Sequence, residues 1–330
     1  MGNGGIHGIW DGAGAGTCEN GGRVKEFGKI VVYLCAVLVG GALLAPPLYW
    51  AVQAAIASGW LLVLQKYGFQ KYFNRSLLVS AVVLLWPMVR WLGVKGWAPA
   101  VFRGDPWGWR RTGWGFGLGA VAMAALGAGY VWAGFYHWTG CPSWGVWMKA
   151  LVSALVVGCL EESLFRGAIA DLAERSGGRA LALWGTSALF AGVHFLKPDP
   201  SAKIEVVGWG SGFELVPRMF YQFSEPLLWL GGFGTLWVFG LVLGLAVRRT
   251  GSLWLSIGIH AGLVFVKLVF GKGTERVWER LPWVGRELQI GLCPVLVLGL
   301  IGVVVWMVTA KDALRGSGGI TDVPRGTRNV

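Results

Sequence analysis

Long apolar runs separated by short polar breaks set the pattern of this chain. No charged residue occurs from Ile30 to Gln65. That stretch is long enough for a membrane-spanning helix, with Pro46 and Pro47 predicted to kink or end it. A shorter run, Leu77–Val89, predicts a second span. Thr112–Met148 is again free of Lys, Arg, Asp and Glu. Its break near Thr139-Gly140-Cys141-Pro142 predicts a third helix and the start of a fourth, which runs from Trp147 past Glu161 and Glu162 to Glu174. Ser176-Gly177-Gly178 predicts a turn, followed by a fifth helix over Arg179–Phe195. A loop holding Lys197, Pro198, Pro200, Lys203 and Glu205 leads to a sixth span, Pro226–Val247, and a seventh, Leu253–Phe270. Residues 272–288 mix basic and apolar side chains, the pattern of an interfacial segment. Gln289–Ala310 forms the last span. The fold expected is all-α: a polytopic membrane protein of about eight transmembrane helices in one membrane domain over residues 25–310. A Gly-rich disordered tail is expected over 1–24 and a polar tail over 311–330. The first stretch lacks the h-region of a secretory signal. Gly2 is present, but Ile6 breaks the myristoylation pattern. No repeat with a period of 20–50 residues is visible.

Composition agrees with the pattern. The 330 residues are 55% hydrophobic and 14% charged, and mean hydropathy is +0.57. An ordinary soluble domain is about 25% charged, so a water-soluble enzyme is excluded. The 54 Gly and 21 Trp suit close helix packing and membrane interfaces. The net charge of +12 does not mark a nucleic-acid binder, because no basic domain stands apart from the apolar runs. Lys and Arg fall in the loops, and their count favours both termini in the cytoplasm. Cys18, Cys35, Cys141, Cys159 and Cys293 are scattered without a CxxC, against a disulfide framework or a thiolate zinc site.

Ionisable groups inside apolar helices are costly and mark function. Here they are Glu161, Glu162, Arg166, His194, His260 and Lys267. Glu162 and Arg166 are four apart and share a helix face, so they can pair. Glu161 points about 100° away and lacks that local partner. A carboxylate beside a low-dielectric wall can serve as a base or acid. All three could instead form one structural ion-pair network. Glu161 lies 16 residues before Gly177 and His194 lies 17 after it. An antiparallel hairpin brings both to nearly one height, where they could hold a water between them. Phe190 lies one turn before His194. His260 is flanked by Gly258 and Gly262, which permit close helix approach. It could donate to a developing oxyanion, ligate a metal, or bond a backbone carbonyl.

Glu161-Glu162-Ser163-Leu164-Phe165-Arg166 fits EExxxR, Phe190–His194 fits FxxxH, and His260 opens a third motif, HxxxN or HxxxD. In this order, each on its own predicted helix, the motifs resemble the CPBP family of intramembrane proteases, also called the CAAX protease and bacteriocin-processing (Abi) family, which includes the Ras-converting CAAX endopeptidase. The resemblance covers residues 147–270. It implies an eight-helix membrane protein with an intramembrane cavity, a multi-pass protein of the cytoplasmic membrane acting as an endopeptidase on a membrane-associated or lipidated peptide or protein. It also implies that Glu161 and His194 activate water, that His260 stabilises the oxyanion, and that Glu162 and Arg166, with Phe190, support the site. One position departs from the pattern. The third motif ends in Val264, which cannot donate a hydrogen bond.

No metal is favoured as a cofactor. HExxH is absent, and a glutamate base suffices. Glu161, His194 and His260 would be the ligands if zinc were present, since two His and one Glu form a known catalytic set. Two other classes compete. Buried Glu and His also serve proton-coupled transporters, although the charged motif is not repeated between the two halves. A non-catalytic membrane scaffold, or pseudoprotease, is the reading that Val264 keeps open.

Overall fold

The computed structural model describes residues 16–91, 105–196, 198–199 and 201–310. Residues 1–15 and 311–330, with Gly2, Ile6, Arg103, Lys197 and Pro200, lie outside the described residues. The helices are α1 Gly16–Ala57, α2 Phe69–Trp91, α3 Gly108–Trp132, α4 Trp144–Glu162, α5 Ala170–Ala180, α6 Thr186–His194, α7 Ser211–Arg218, α8 Pro226–Thr250, α9 Trp254–Gly273 and α10 Leu292–Val308. The protein is an all-α polytopic membrane protein. Among the described residues, five helices are long and apolar enough to cross a bilayer: α1 from Gly28, α2, α3, α8 and α9. The last apolar helix, α10, has only 17 residues. The expected fourth and fifth helices are present, each containing a π-helical turn, at Ser163–Ile169 and Leu181–Gly185. The outer surface is apolar, with Trp114, Val121, Trp132, Leu296 and Val308 facing outward, as lipid contact requires.

Several boundaries differ from the sequence pattern. α1 starts at Gly16, inside the stretch expected as a tail, and continues through Pro46 and Pro47. α2 begins eight residues before the apolar run, at Phe69. Tyr72 and Phe73 are buried there, so tertiary packing extends the helix beyond its apolar stretch. The long loop before α8 contains α7, whose Gly212 lies against the Ala42 carbonyl of α1. Residues 272–288, expected as an interfacial segment, are largely non-helical after Gly273. Their first part, β2 (Thr274–Arg276), pairs antiparallel with β1 (Tyr136–Trp138), tying the α3–α4 loop to the end of α9.

α9 is the central element. Every residue from Leu255 to Leu263 is buried, so the helix is enclosed on all sides rather than amphipathic. It packs against α3, α4 and α8. At Gly258 and Gly262 a Cβ would fall onto the carbonyl oxygens of Thr112 and Phe116 in α3. These glycines let two backbones meet, as small residues do in membrane bundles. The expected hairpin turn is present, with Gly178 at φ +80°, a conformation open to Gly without steric cost.

The two membrane faces can be told apart by contacts. At one, Arg249 of α8 bonds the Thr309 hydroxyl just after α10, and Asp105 before α3 accepts from Ser252 in the α8–α9 turn, 2.8 Å. The described ends of the chain share this face. The β1–β2 ribbon, the α1–α2 loop and the start of α10 form the opposite one.

Candidate active site

Glu161 and Glu162 end α4, and the chain widens into a π-helical turn directly after them. π-turns inside α-helices are rare and concentrate at functional sites. The two neighbouring carboxylates have different surroundings. Glu162 is fully buried. Its Oε1 accepts from Arg166 Nη1 at 3.0 Å and from His260 Nδ1 at 2.9 Å. Arg166 also donates from Nη2 to the Gly240 carbonyl of α8, 3.2 Å. Its guanidinium lies 4.5 Å over the Phe190 ring. A buried ion pair persists when its remaining groups find partners; for Arg166 a carbonyl and an aromatic face supply them, while Glu162 Oε2 makes no hydrogen bond.

Glu161 points into the space between α6 and α9. Its Oε2 is buried and makes no hydrogen bond. It lies 3.5 Å from His194 Nε2 and 3.7 Å from His260 Nε2. Each ring is oriented from its other side. His194 Nδ1 is 2.8 Å from the Phe190 carbonyl, which can only accept, so Nδ1 carries the proton. His260 Nδ1 donates to the Glu162 carboxylate in the same way. Both Nε2 atoms are thereby turned towards Glu161. Phe190 braces this centre. It is fully buried, 4.4 Å from the His194 ring and edge-on to His260 and Phe239.

The structure therefore gathers Glu161, Glu162, Arg166, Phe190, His194 and His260, remote in sequence, into one cluster. His260 is the seventh residue of α9, roughly 9 Å from that helix end, inside the span. A cavity of about 620 Å³ adjoins it, with His194, His260 and Phe239 among its lining residues, a size suited to a bound organic ligand. Val264 lines it one turn beyond His260, presenting an apolar wall where the third motif has a polar side chain. The cavity runs to the opposite face, where Lys66, Lys71, Tyr221, Lys267 and Glu287 rim it.

The sequence pattern missed Phe239 and the Gly240 carbonyl, which sit in the uniformly apolar run of α8 and carry no local signal. It also missed the cavity mouth, which is assembled from four separate segments. Two His and one Glu supply the donor chemistry of a zinc site. Among the described residues, however, no group of three or more His, Cys, Asp or Glu side chains is disposed to hold a metal ion.

No curated relative and no solved structure matched the chain. A family model did: that of type II CAAX prenyl endopeptidase Rce1-like proteins, over residues 142–266. The matched stretch runs from the start of α4 into α9 and contains Glu161, Glu162, Arg166, Phe190, His194 and His260. Over that core this multi-pass membrane protein is similar to the Rce1-like CAAX prenyl endopeptidases.

Proposed function

We propose that the chain is an intramembrane endopeptidase that hydrolyses a peptide bond of a membrane-associated or lipidated substrate. The observation that carries this reading is the buried, unpartnered Oε2 of Glu161 faced by two oriented Nε2 atoms. The gaps of 3.5 and 3.7 Å are too long for direct hydrogen bonds and leave all three atoms available to one water from the cavity. Glu161 takes a proton from that water while His194 Nε2 positions it. The oxygen attacks the scissile carbonyl, and His260 Nε2–H donates to the resulting oxyanion. In this scheme His260 is a cation from the start, protonated on both nitrogens with Glu162 as its counter-charge, and it neither gains nor loses a proton. Glu161 passes its proton to the leaving nitrogen, the C–N bond breaks, and an acid and an amine are released. No step is routed through a metal ion.

The family match supports peptide hydrolysis as the reaction class. The Lys and Arg distribution supports a cytoplasmic-membrane protein with both termini inside, which sets the cavity mouth on the other side. Val264 supports a weaker or altered oxyanion site, and in the limit a non-catalytic protein.

The test is cleavage of a quenched peptide library by purified protein in detergent, comparing wild type, Glu161→Gln and His194→Ala, each with and without chelator. Cleavage by wild type alone, insensitive to chelator, is the expected result. Loss with chelator and recovery with zinc would replace this scheme by a metal-dependent one. Equal cleavage by all three proteins would overturn the site assignment.

A further inference from the structure

Glu162 Oε1 accepts from both Arg166 and His260, whereas Glu162 Oε2 is buried and makes no hydrogen bond. An ionised carboxylate offers acceptor sites on both oxygens, and a buried acceptor without a donor is costly. A donor stands close by. Among the described residues, three side chains face this carboxylate closely enough to act on it: Arg166, His260 and Ser256. Ser256 lies four residues before His260 on α9, so the two share one face of the helix, a turn apart. It is fully buried. Its hydroxyl donates to the Leu253 carbonyl at 2.9 Å, but that carbonyl does not depend on it. The Ile257 N–H donates to the same oxygen, also at 2.9 Å. A serine hydroxyl carries one proton and rotates to suit its surroundings. Turning it from Leu253 to Glu162 therefore strands no group of α9 and gives Glu162 Oε2 a donor.

We propose that Ser256 is a positioning residue of the hydrolytic site: its hydroxyl takes up Glu162 Oε2, and through that carboxylate it fixes the His260 ring. A carboxylate held at one oxygen can swing about its Cγ–Cδ bond, a torsion with a broad minimum. One held at both oxygens keeps its plane. Oε1 then stays in line with His260 Nδ1, and the opposite Nε2–H keeps its aim at the oxyanion. Support of this kind, one layer behind the reacting groups, is what holds a site to its productive geometry. Ser256 does not line the cavity, so it acts only through Glu162 and His260. The sequence gives no reason to single it out, because a serine inside an apolar helix commonly bonds its own backbone. The inference rests on the endopeptidase reading for its effect on rate, and not for its effect on His260.

The test reads His260 and catalysis separately. The chain has four histidines, His7, His137, His194 and His260, so nitrogen-15 labelling of histidine in the purified full chain gives a short NMR spectrum. The His260 signals are those lost in His260→Gln. Ser256→Ala is expected to shift or broaden the His260 Nδ1–H signal and to leave that of His194 in place. Ser256→Thr, which keeps the hydroxyl, is expected to restore it. On the peptide of the quenched library that wild type cleaves fastest, Ser256→Ala should lower kcat by about tenfold, the weight of one neutral hydrogen bond, with KM within about twofold of wild type. Ser256→Thr should recover most of that rate. If its added methyl lowers the unfolding midpoint, Ser256→Cys takes its place; as a weaker donor it should fall between alanine and wild type. A His260 signal unmoved by Ser256→Ala overturns the proposal and leaves Ser256 bonded to Leu253 alone. A moved signal with kcat unchanged overturns it too. A protein that cleaves nothing while its His260 signal still follows Ser256 would sink the endopeptidase reading and leave this contact standing.

Discussion

α9 carries an ion-pair cluster at each end of the cavity, and the two behave as different materials. At the inner end, Glu162, Arg166 and His260 have side chains no more than 3% exposed. At the mouth, Lys267 and Glu287 keep 33% and 48% of their surface. The bond lengths are alike, 3.0 and 2.9 Å in the inner cluster and 2.9 Å at the mouth. Solvent access separates them. Water competes with the outer pair and makes it exchangeable. The inner one is enclosed apart from the His260 edge that lines the cavity, so each member depends on the others to offset its desolvation. The inner cluster can hold a geometry, and the outer one can greet a ligand.

The comparison breaks first, and most visibly, at Glu161, the inner carboxylate that has no local partner. Glu161→Gln is expected to cut peptide hydrolysis by about 10²–10⁴-fold, the usual contribution of a positioned base. The thermal unfolding midpoint in detergent should stay near that of wild type, since Glu161 Oε2 makes no direct hydrogen bond. A rate loss accompanied by general unfolding would place Glu161 with the structural group instead.

Arg166→Met should act in the opposite sense, on stability before rate. It strands Glu162 in the core and is expected to cost about 3–5 kcal/mol, seen as a lowered midpoint. Combining it with Glu162→Leu should recover most of that stability, because replacing a buried pair by apolar groups is often neutral. Hydrolysis should not recover, because His260 loses the acceptor that orients it. Recovery of both would show that Glu162 only balances charge.

Val264→Asn tests the missing donor between the two clusters. Donors of this kind are worth about 10²–10³ in turnover where they are native, so a gain of about tenfold is expected from one introduced beside His260. No gain, with the protein folded, would mean that the oxyanion lies out of reach of position 264.

A third polar cluster, at the face shared by the chain ends, sharpens the comparison through pH. Burial pushes the Asp105 carboxyl up. Hydrogen bonds from the Ser252 hydroxyl, the Trp107 N–H and Arg111, together with the Arg111 charge, outweigh that and hold it below its ordinary value. A lowered carboxyl stabilises the fold at pH values above its unfolded pKa of about 3.9, and the contribution is lost as pH falls through the lower folded value. Asp105→Asn should therefore lower the unfolding midpoint at neutral pH, with the gap to wild type closing below about pH 4. The smallest effect belongs to the mouth, where Lys267→Gln should change stability by less than about 1 kcal/mol. A larger loss would make that pair structural.

Much of the site was legible because helical spacing is local. EExxxR puts Glu162 and Arg166 on one face by the four-residue repeat alone, and Arg166 Nη1 donates to Glu162 Oε1 in the fold. The nearly equal distances of Glu161 and His194 from the Gly177 turn place them at about one height, and 3.5 Å separates their side chains in the fold. The count of spans was less legible. The helices read through Glu174 and Phe195 each contain a π-turn, and hydropathy does not register a widened turn.

From the sequence alone came the membrane class, the helical hairpin that pairs Glu161 with His194, and the candidate chemistry, all set by composition and by spacing within a few turns. Only the tertiary structure decided that His260 leans on Glu162 rather than on a backbone carbonyl, that Gly240 and Phe190 seat Arg166, and that Lys66, Tyr221, Lys267 and Glu287 meet at one mouth. Those contacts join segments far apart in the chain. They depend on how close the glycines of α9 let its neighbours come, and that is a property of packed surfaces rather than of any local pattern.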